Sequence, residues 1–228
     1  MENRIDLLSS LRDLSYDVGQ FYIKKASEET VEEKKNLYTF ITYVFLSISP
    51  MTDLTLQGAK EENNLMIFSG LRMIEENFAN LSYIFHDSSK TNDYISKILT
   101  RGTEYQEAFT ELRDDPSRGL MHLDSVGRWT RSTITQRVRQ LGEGPAFRYE
   151  LSCKYLHADI WAILNNQAIK DMKGYRFGLV SWGIEDINMM LWVLRKQEMI
   201  PNDLLVLHEK LIERVVDELK KEPGPTYA

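Results

Sequence analysis

Arg72 and Glu76 stand four residues apart, a spacing that places opposite charges on one face of a helix. Their neighbours on that face are Leu65, Phe68, Ala79 and Tyr83, so the face reads as buried. Two roles fit a buried ion pair. One is a structural bridge that fixes helix register. The other is the polar floor of an internal site, because charges with perturbed pKa values concentrate at functional sites. His157 lies on the stripe Cys153, His157, Ile160 and Leu164, with Trp161 beside it. There it serves either as a hydrogen-bonded core residue or as an acid/base. His157, Arg72 and Glu76 are therefore the candidate catalytic residues. Cys153 and His157 have the spacing of a nucleophile and its base, yet a catalytic thiolate needs an electropositive, partly exposed setting, and this stripe reads as buried.

A second constellation is cationic. Arg113, Arg118, Arg128, Arg131, Arg137, Arg139 and Arg148 are half of the chain's 14 arginines, all within 36 residues and with no lysine among them. Asp114, Asp115, Asp124 and Glu143 oppose them and leave +3 locally in a chain whose formal net charge is −6. Arg128, Arg131 and Arg139 share a helix side with Ser132 and Thr135, away from Ile134, Val138 and Leu141. The planar guanidinium fork suits phosphate and carboxylate. Trp129 adds a stacking surface, so Arg128, Trp129, Arg131 and Arg139 are the candidate anion or nucleic-acid contacts. The alternative is a solvated face laced with salt bridges.

Other chemistries lack their residues. The four histidines, His86, His122, His157 and His208, are scattered; Glu-x-x-His, His-Glu-x-x-His and paired Cys-x-x-Cys are absent, so no metal site is expected. Gly142-Glu143-Gly144 lacks the completion of a phosphate loop and reads as a turn. No cofactor is named by these residues. A lone cysteine, Cys153, excludes an internal disulfide and points to a reducing compartment.

Helical periodicity positions these groups. Leu7, Leu11, Leu14, Val18 and Phe21 mark a first helix; Thr30 to Glu33 reads as a capping box for a second, with Tyr38, Ile41, Phe45 and Ile48 as its stripe and Pro50 as its end. Ile67, Leu71, Ile74, Phe78, Leu81 and Phe85 form an unbroken seam, and apolar residues on the other side make this helix, near 59–86, the central one. A fourth carries Ile95 to Leu112, residues 114–127 read as an irregular connection, and a short helix runs from Arg128 to Leu141. Residues 147–169, Val180 to Leu194 and Asn202 to Lys221 complete an all-α, single-domain bundle of about eight helices over 1–221, with a flexible tail at 222–228. At 228 residues a single domain buries enough surface to need no metal or disulfide. Charges at Glu2, Arg4, Asp6 and Arg12 exclude a signal-peptide core, and the 15-residue stretch Leu37 to Met51 is too short and polar to span a membrane, which points to a cytoplasmic protein.

Three places together resemble a known family. Arg72-Met-Ile-Glu-Glu76 followed by an apolar run to Tyr83 resembles an Arg-x-x-x-Glu signature, Trp129 to Ile134 resembles a Trp-x-x-x-x-Ile helix, and Tyr149 to His157 resembles a closing tyrosine, serine and histidine. The family is a bacterial, all-helical domain of unknown function, number fifty-six seventy-seven, and the likeness spans roughly residues 60–165. It implies that Arg72, Glu76, Trp129, Tyr149 and His157 meet across the bundle, and it supplies no reaction. One departure is that Cys153 stands where that family has serine four before the histidine; Ser152 is the nearest hydroxyl. A looser likeness is to helical ribonuclease toxins, whose arginine and histidine lie four to six apart on a helix. Arg148 and His157 are nine apart, and Arg118 and His122, at four, fall in an expected connection.

Two functions follow as expectations. The first is a binding bundle that takes a protein partner, a second copy of itself or a small anion, in bacterial stress or phage defence. The second is an RNA-directed hydrolase in which His157 acts as acid/base and arginine stabilises phosphate charge. RNA or a small anion would engage the Arg-rich segment 113–148, and no membrane partner is expected.

Overall fold

The computed structural model describes residues 2–87, 90–119, 121, 133–156 and 173–220 of the chain. Among these residues no strand occurs, and eight helices of seven residues or more follow one another. They are α1 (Glu2–Glu28), α2 (Glu32–Lys60), α3 (Asn64–His86), α4 (Lys90–Asp114), α5 (Ile134–Gln140), α6 (Glu143–Leu156), α7 (Lys173–Lys196) and α8 (Asn202–Lys220). The fold is all-α.

The apolar stripes read from the sequence face one core. Leu7, Leu11 and Val18 of α1, Ile41, Phe45 and Ile48 of α2, Ile67 and Ile74 of α3, and Ile184, Ile187 and Leu191 of α7 are buried together. Contacts between α1 and α2 run in opposite order, with Arg12 bonded to Asp53, Gly19 against Leu46 and Tyr22 beside Tyr38, so the two helices are antiparallel. The α2 and α3 helices are antiparallel too, with Gly58 against Ile67 and Gly70 against Thr55, and their backbones approach closely at Gly70. A Cβ there would meet Thr55 Oγ1 at 2.2 Å and the Met51 carbonyl oxygen at 2.4 Å. Only a residue without a side chain permits that approach. α3 packs against α2, α5, α6 and α7, which confirms its central place.

Several boundaries differ from those read in the sequence. Pro50 lies inside α2 rather than at its end. Pro50 itself is exposed, and the carbonyl four residues before it loses its helical donor. Buried Phe45 and Ile48 before it, and Thr52 and Leu56 after it, hold both halves to the same core. The central helix does not reach back to 59: Ala59 and Lys60 close α2, and Asn63 caps α3 by accepting from Leu65 N at 3.1 Å and Met66 N at 3.3 Å. Thr30 does not cap α2. The Glu29 carboxylate accepts from Thr30 N and Val31 N instead, and its bond from Val31 leads the effects that hold it below the usual carboxylate range.

The short fifth helix opens at Ile134, not near Arg128. Thr133 Oγ1 accepts from Gln136 N at 3.2 Å while Gln136 Oε1 accepts from Thr133 N at 2.8 Å, a reciprocal capping box. Gly142, at φ +119°, ends α5, and Pro145 falls in the first turn of α6, where its missing N–H costs no helical bond. A helical turn at 116–119 occupies part of the expected irregular connection.

Candidate functional site: two arginines on the central helix

Arg72, Glu76 and Asn80 step along α3 at intervals of four, and each meets a different group. Arg72 Nε donates to Glu76 Oε1 at 3.0 Å. The Tyr149 hydroxyl, from α6, donates to the same Glu76 oxygen at 3.2 Å, and the Arg72 guanidinium carbon lies 5.5 Å from the centre of the Tyr149 ring. Arg137, from α5, donates Nε to Asn80 Oδ1 at 3.0 Å and stacks beside Tyr83. Ala79, Val138 and Tyr149 form a small apolar floor under these contacts, with Cys153 packed against it. Burial raises the Tyr149 hydroxyl's pKa, and Glu76 adds to the effect. Arg137 is held below its ordinary value by desolvation. For Arg72, burial works against the charge and Glu76 more than offsets it, so the guanidinium is raised.

The pair is not buried as its apolar neighbours suggested. The Arg72 and Glu76 side chains keep 26% and 34% of their exposure. Leu65, on the same side of α3, is exposed, and only Phe68 and Ala79 of that group are fully enclosed. The deep charges lie one residue away. Glu75 is 1% exposed, and Arg148 of α6 reaches it through Nε at 3.1 Å. Arg148 Nη2 donates to Asp186 Oδ1 at 2.5 Å, and Nη1 to Glu185 Oε2 at 3.3 Å, both on α7. All three nitrogens of this guanidinium therefore carry a carboxylate partner. Burial opposes the Arg148 charge, but Asp186, Glu75 and Glu185 outweigh it and raise its pKa. Desolvation, more than the arginine can compensate, pushes Glu75 up to about 9 and raises Asp186 and Glu185 as well.

Of the residues singled out in the sequence, the structure brings together Arg72, Glu76 and Tyr149. Arg139 is on the exposed side of α5 and bonds Glu150 at 2.7 Å. His157, Arg128, Trp129 and Arg131 lie outside the described residues. The sequence reading missed Glu75, Glu185 and Asp186, and it weighed Arg148 as part of a cationic patch and against the spacing to His157, not as the partner of buried acids. A signal for two of them was present. Glu75 falls between Leu71 and Phe78 at helical spacing, and Asp186 between Gly183 and Met190, so each is a lone acid on a buried stripe.

Elsewhere, His208 is enclosed between α7 and α8, with Nε2 3.1 Å from Asn188 Oδ1, and desolvation lowers its pKa to about 4. An open cleft of about 310 Å³ lies between the end of α1, the start of α2 and the α7–α8 turn, walled by Phe21, Tyr22, Tyr38 and Met199. None of the expected site residues lines it. Among the described residues no cluster of His, Cys, Asp and Glu is suited to a metal ion, and no helix is long and apolar enough to cross a membrane. The fold and these contacts define a helical bundle with a buried ionic cluster beside a half-open arginine–glutamate–tyrosine site. Comparison with protein-family models, with curated proteins and with solved structures finds no match in any of the three.

Proposed function

We propose that the chain is a non-enzymatic binding bundle that takes an anionic group at the Arg72–Glu76–Tyr149 site. The observation that carries this reading is the contrast between the two arginines. Arg148 spends every nitrogen on carboxylates inside the protein, which is the arrangement of a structural cross-link. Arg72 bonds Glu76 through Nε and stacks on Tyr149; among the described residues Nη1 and Nη2 carry no hydrogen bond, which leaves them for a ligand at a partly solvated position. Two terminal N–H groups in one plane match two oxygens of a phosphate or carboxylate. Tyr149, fixed beneath the guanidinium, holds its orientation. Arg137, one turn further along, adds positive potential at the same edge.

Titration calorimetry with inorganic phosphate and with a short single-stranded RNA tests the reading. Binding of either that is weakened at least tenfold in Arg72→Met, with the helical circular dichroism unchanged, is the expected result. Equal binding by the variant sinks the site. Cleavage of the RNA during the titration overturns the non-enzymatic part and favours the hydrolase.

A further inference from the structure

From the ionic cluster we infer that Glu75 and Asp186 hold a single proton between them in the folded protein, and that this proton lets Arg148 latch α6 to both α3 and α7. The inference goes beyond anion binding at Arg72 and does not depend on it. Both carboxylates are 1% exposed, and one guanidinium faces the two of them. Glu75 Oε2 and Asp186 Oδ2 are buried and, among the described residues, accept no hydrogen bond, so no described donor disperses either charge further.

The surrounding charges do not repair the imbalance. On α3, Arg72 is bound to Glu76, and Glu76 itself adds negative potential at Glu75. On α7, Glu185 adds a third carboxylate to Arg148, though it is 39% exposed and screened by water. On α1, Arg4 acts on Glu185 from a distance but is committed to Ser181 and Glu218. Among the described residues, the enclosed part of the cluster thus holds one positive group and two acids. A buried carboxylate without a compensating charge takes up a proton. The raised pKa values of both acids agree with this count.

A direction for pH follows. Glu75 binds its proton more tightly folded than unfolded, so between about 4.5 and about 9 the folded state holds more protons. Stability therefore falls as pH rises through that window, with the unfolding constant climbing by up to about tenfold per pH unit for one proton. The latch is a device that alkali loosens.

Carboxyl ¹³C NMR of the full chain, labelled in glutamate and aspartate side chains, reads the proton directly. The expected spectrum at pH 7 contains one carboxyl at the position of a protonated acid. That signal disappears in Glu75→Gln, because Asp186 then has Arg148 to itself and ionises. It disappears equally in Asp186→Asn, by the same argument for Glu75. Survival of the protonated signal in either amide variant overturns sharing. Should a variant fail to fold, the wild-type titration decides alone: every carboxyl ionised by pH 6 overturns the inference, and one persisting above pH 7 upholds it.

Discussion

Arg148 and Asp186, 38 residues apart in sequence, are joined by a hydrogen bond from Nη2 to Oδ1 that links α6 to α7. The bond matters for what its loss would leave behind. Arg148→Met strands two enclosed carboxylates, and breaking a buried pair from one side costs about 3–5 kcal/mol. Urea unfolding should show a loss of that size. Adding Glu75→Leu and Asp186→Leu removes the stranded acids and should recover at least half of it, since apolar replacement of a whole buried cluster is often neutral or better.

The two glycines that α3 meets in its neighbours and in itself should respond differently to alanine. At Gly70 a methyl group strikes Thr55 Oγ1 and the backbone oxygen of Met51, neither of which has room to retreat. Gly70→Ala should lose about 1–3 kcal/mol or more through overpacking. At Gly183 the nearest atom to an added methyl is Leu71 Cδ2, 3.2 Å away at the end of a flexible side chain. There the helical preference of alanine over glycine, about 0.8–1 kcal/mol, offsets the contact. Gly183→Ala should be neutral or slightly stabilising in the same unfolding assay.

His208 sets an acid limit. Its folded pKa of about 4 lies below the ordinary value of 6.5, so the unfolded chain binds more protons between these pH values. The stability that neutral His208 contributes is therefore complete above about pH 6.5 and is lost as pH falls towards about 4, while the proton on Glu75 acts in the opposite direction above about 4.5. Thermal melts across this range should show the two trends largely offsetting in the wild type, and His208→Gln, which leaves only the Glu75 trend, should gain stability as pH falls. Unchanged melting behaviour in the variant would remove His208 as the cause.

Replacing Arg72 with methionine and Glu76 with leucine together should leave stability within about 1 kcal/mol of wild type, the scale of an exposed ion pair. Anion binding should nevertheless be lost. A large drop in unfolding free energy would instead make the pair structural, which is the reading that its apolar neighbours first suggested.

The seams of α1, α2 and α3 were legible in the sequence because burial of an apolar stripe depends on spacing alone. Leu7 to Val18, Ile41 to Ile48 and Ile67 to Leu81 all face the core. The polar site was legible only locally. Arg72 and Glu76 were visible as a pair because both partners lie on one helix. Glu75 was overlooked beside them because its partner, Arg148, is 73 residues away and belongs to α6. Charge pairing across helices is decided by which helices adjoin, and periodicity does not carry that information. Pro50 failed as a stop signal for a similar reason: helix propensity there is overruled by packing on both sides.

Arg4 carries a consequence for the order of assembly. Its guanidinium is nearly enclosed, with Nη1 donating to Ser181 Oγ and Nη2 to the Glu218 carbonyl at 3.1 Å. A ribosome produces α1 first, yet both acceptors belong to the two helices made last of those described. Ser181 and Glu218 thus tie the first turn of α1 to α7 and α8, and these contacts form only after both later helices have been made.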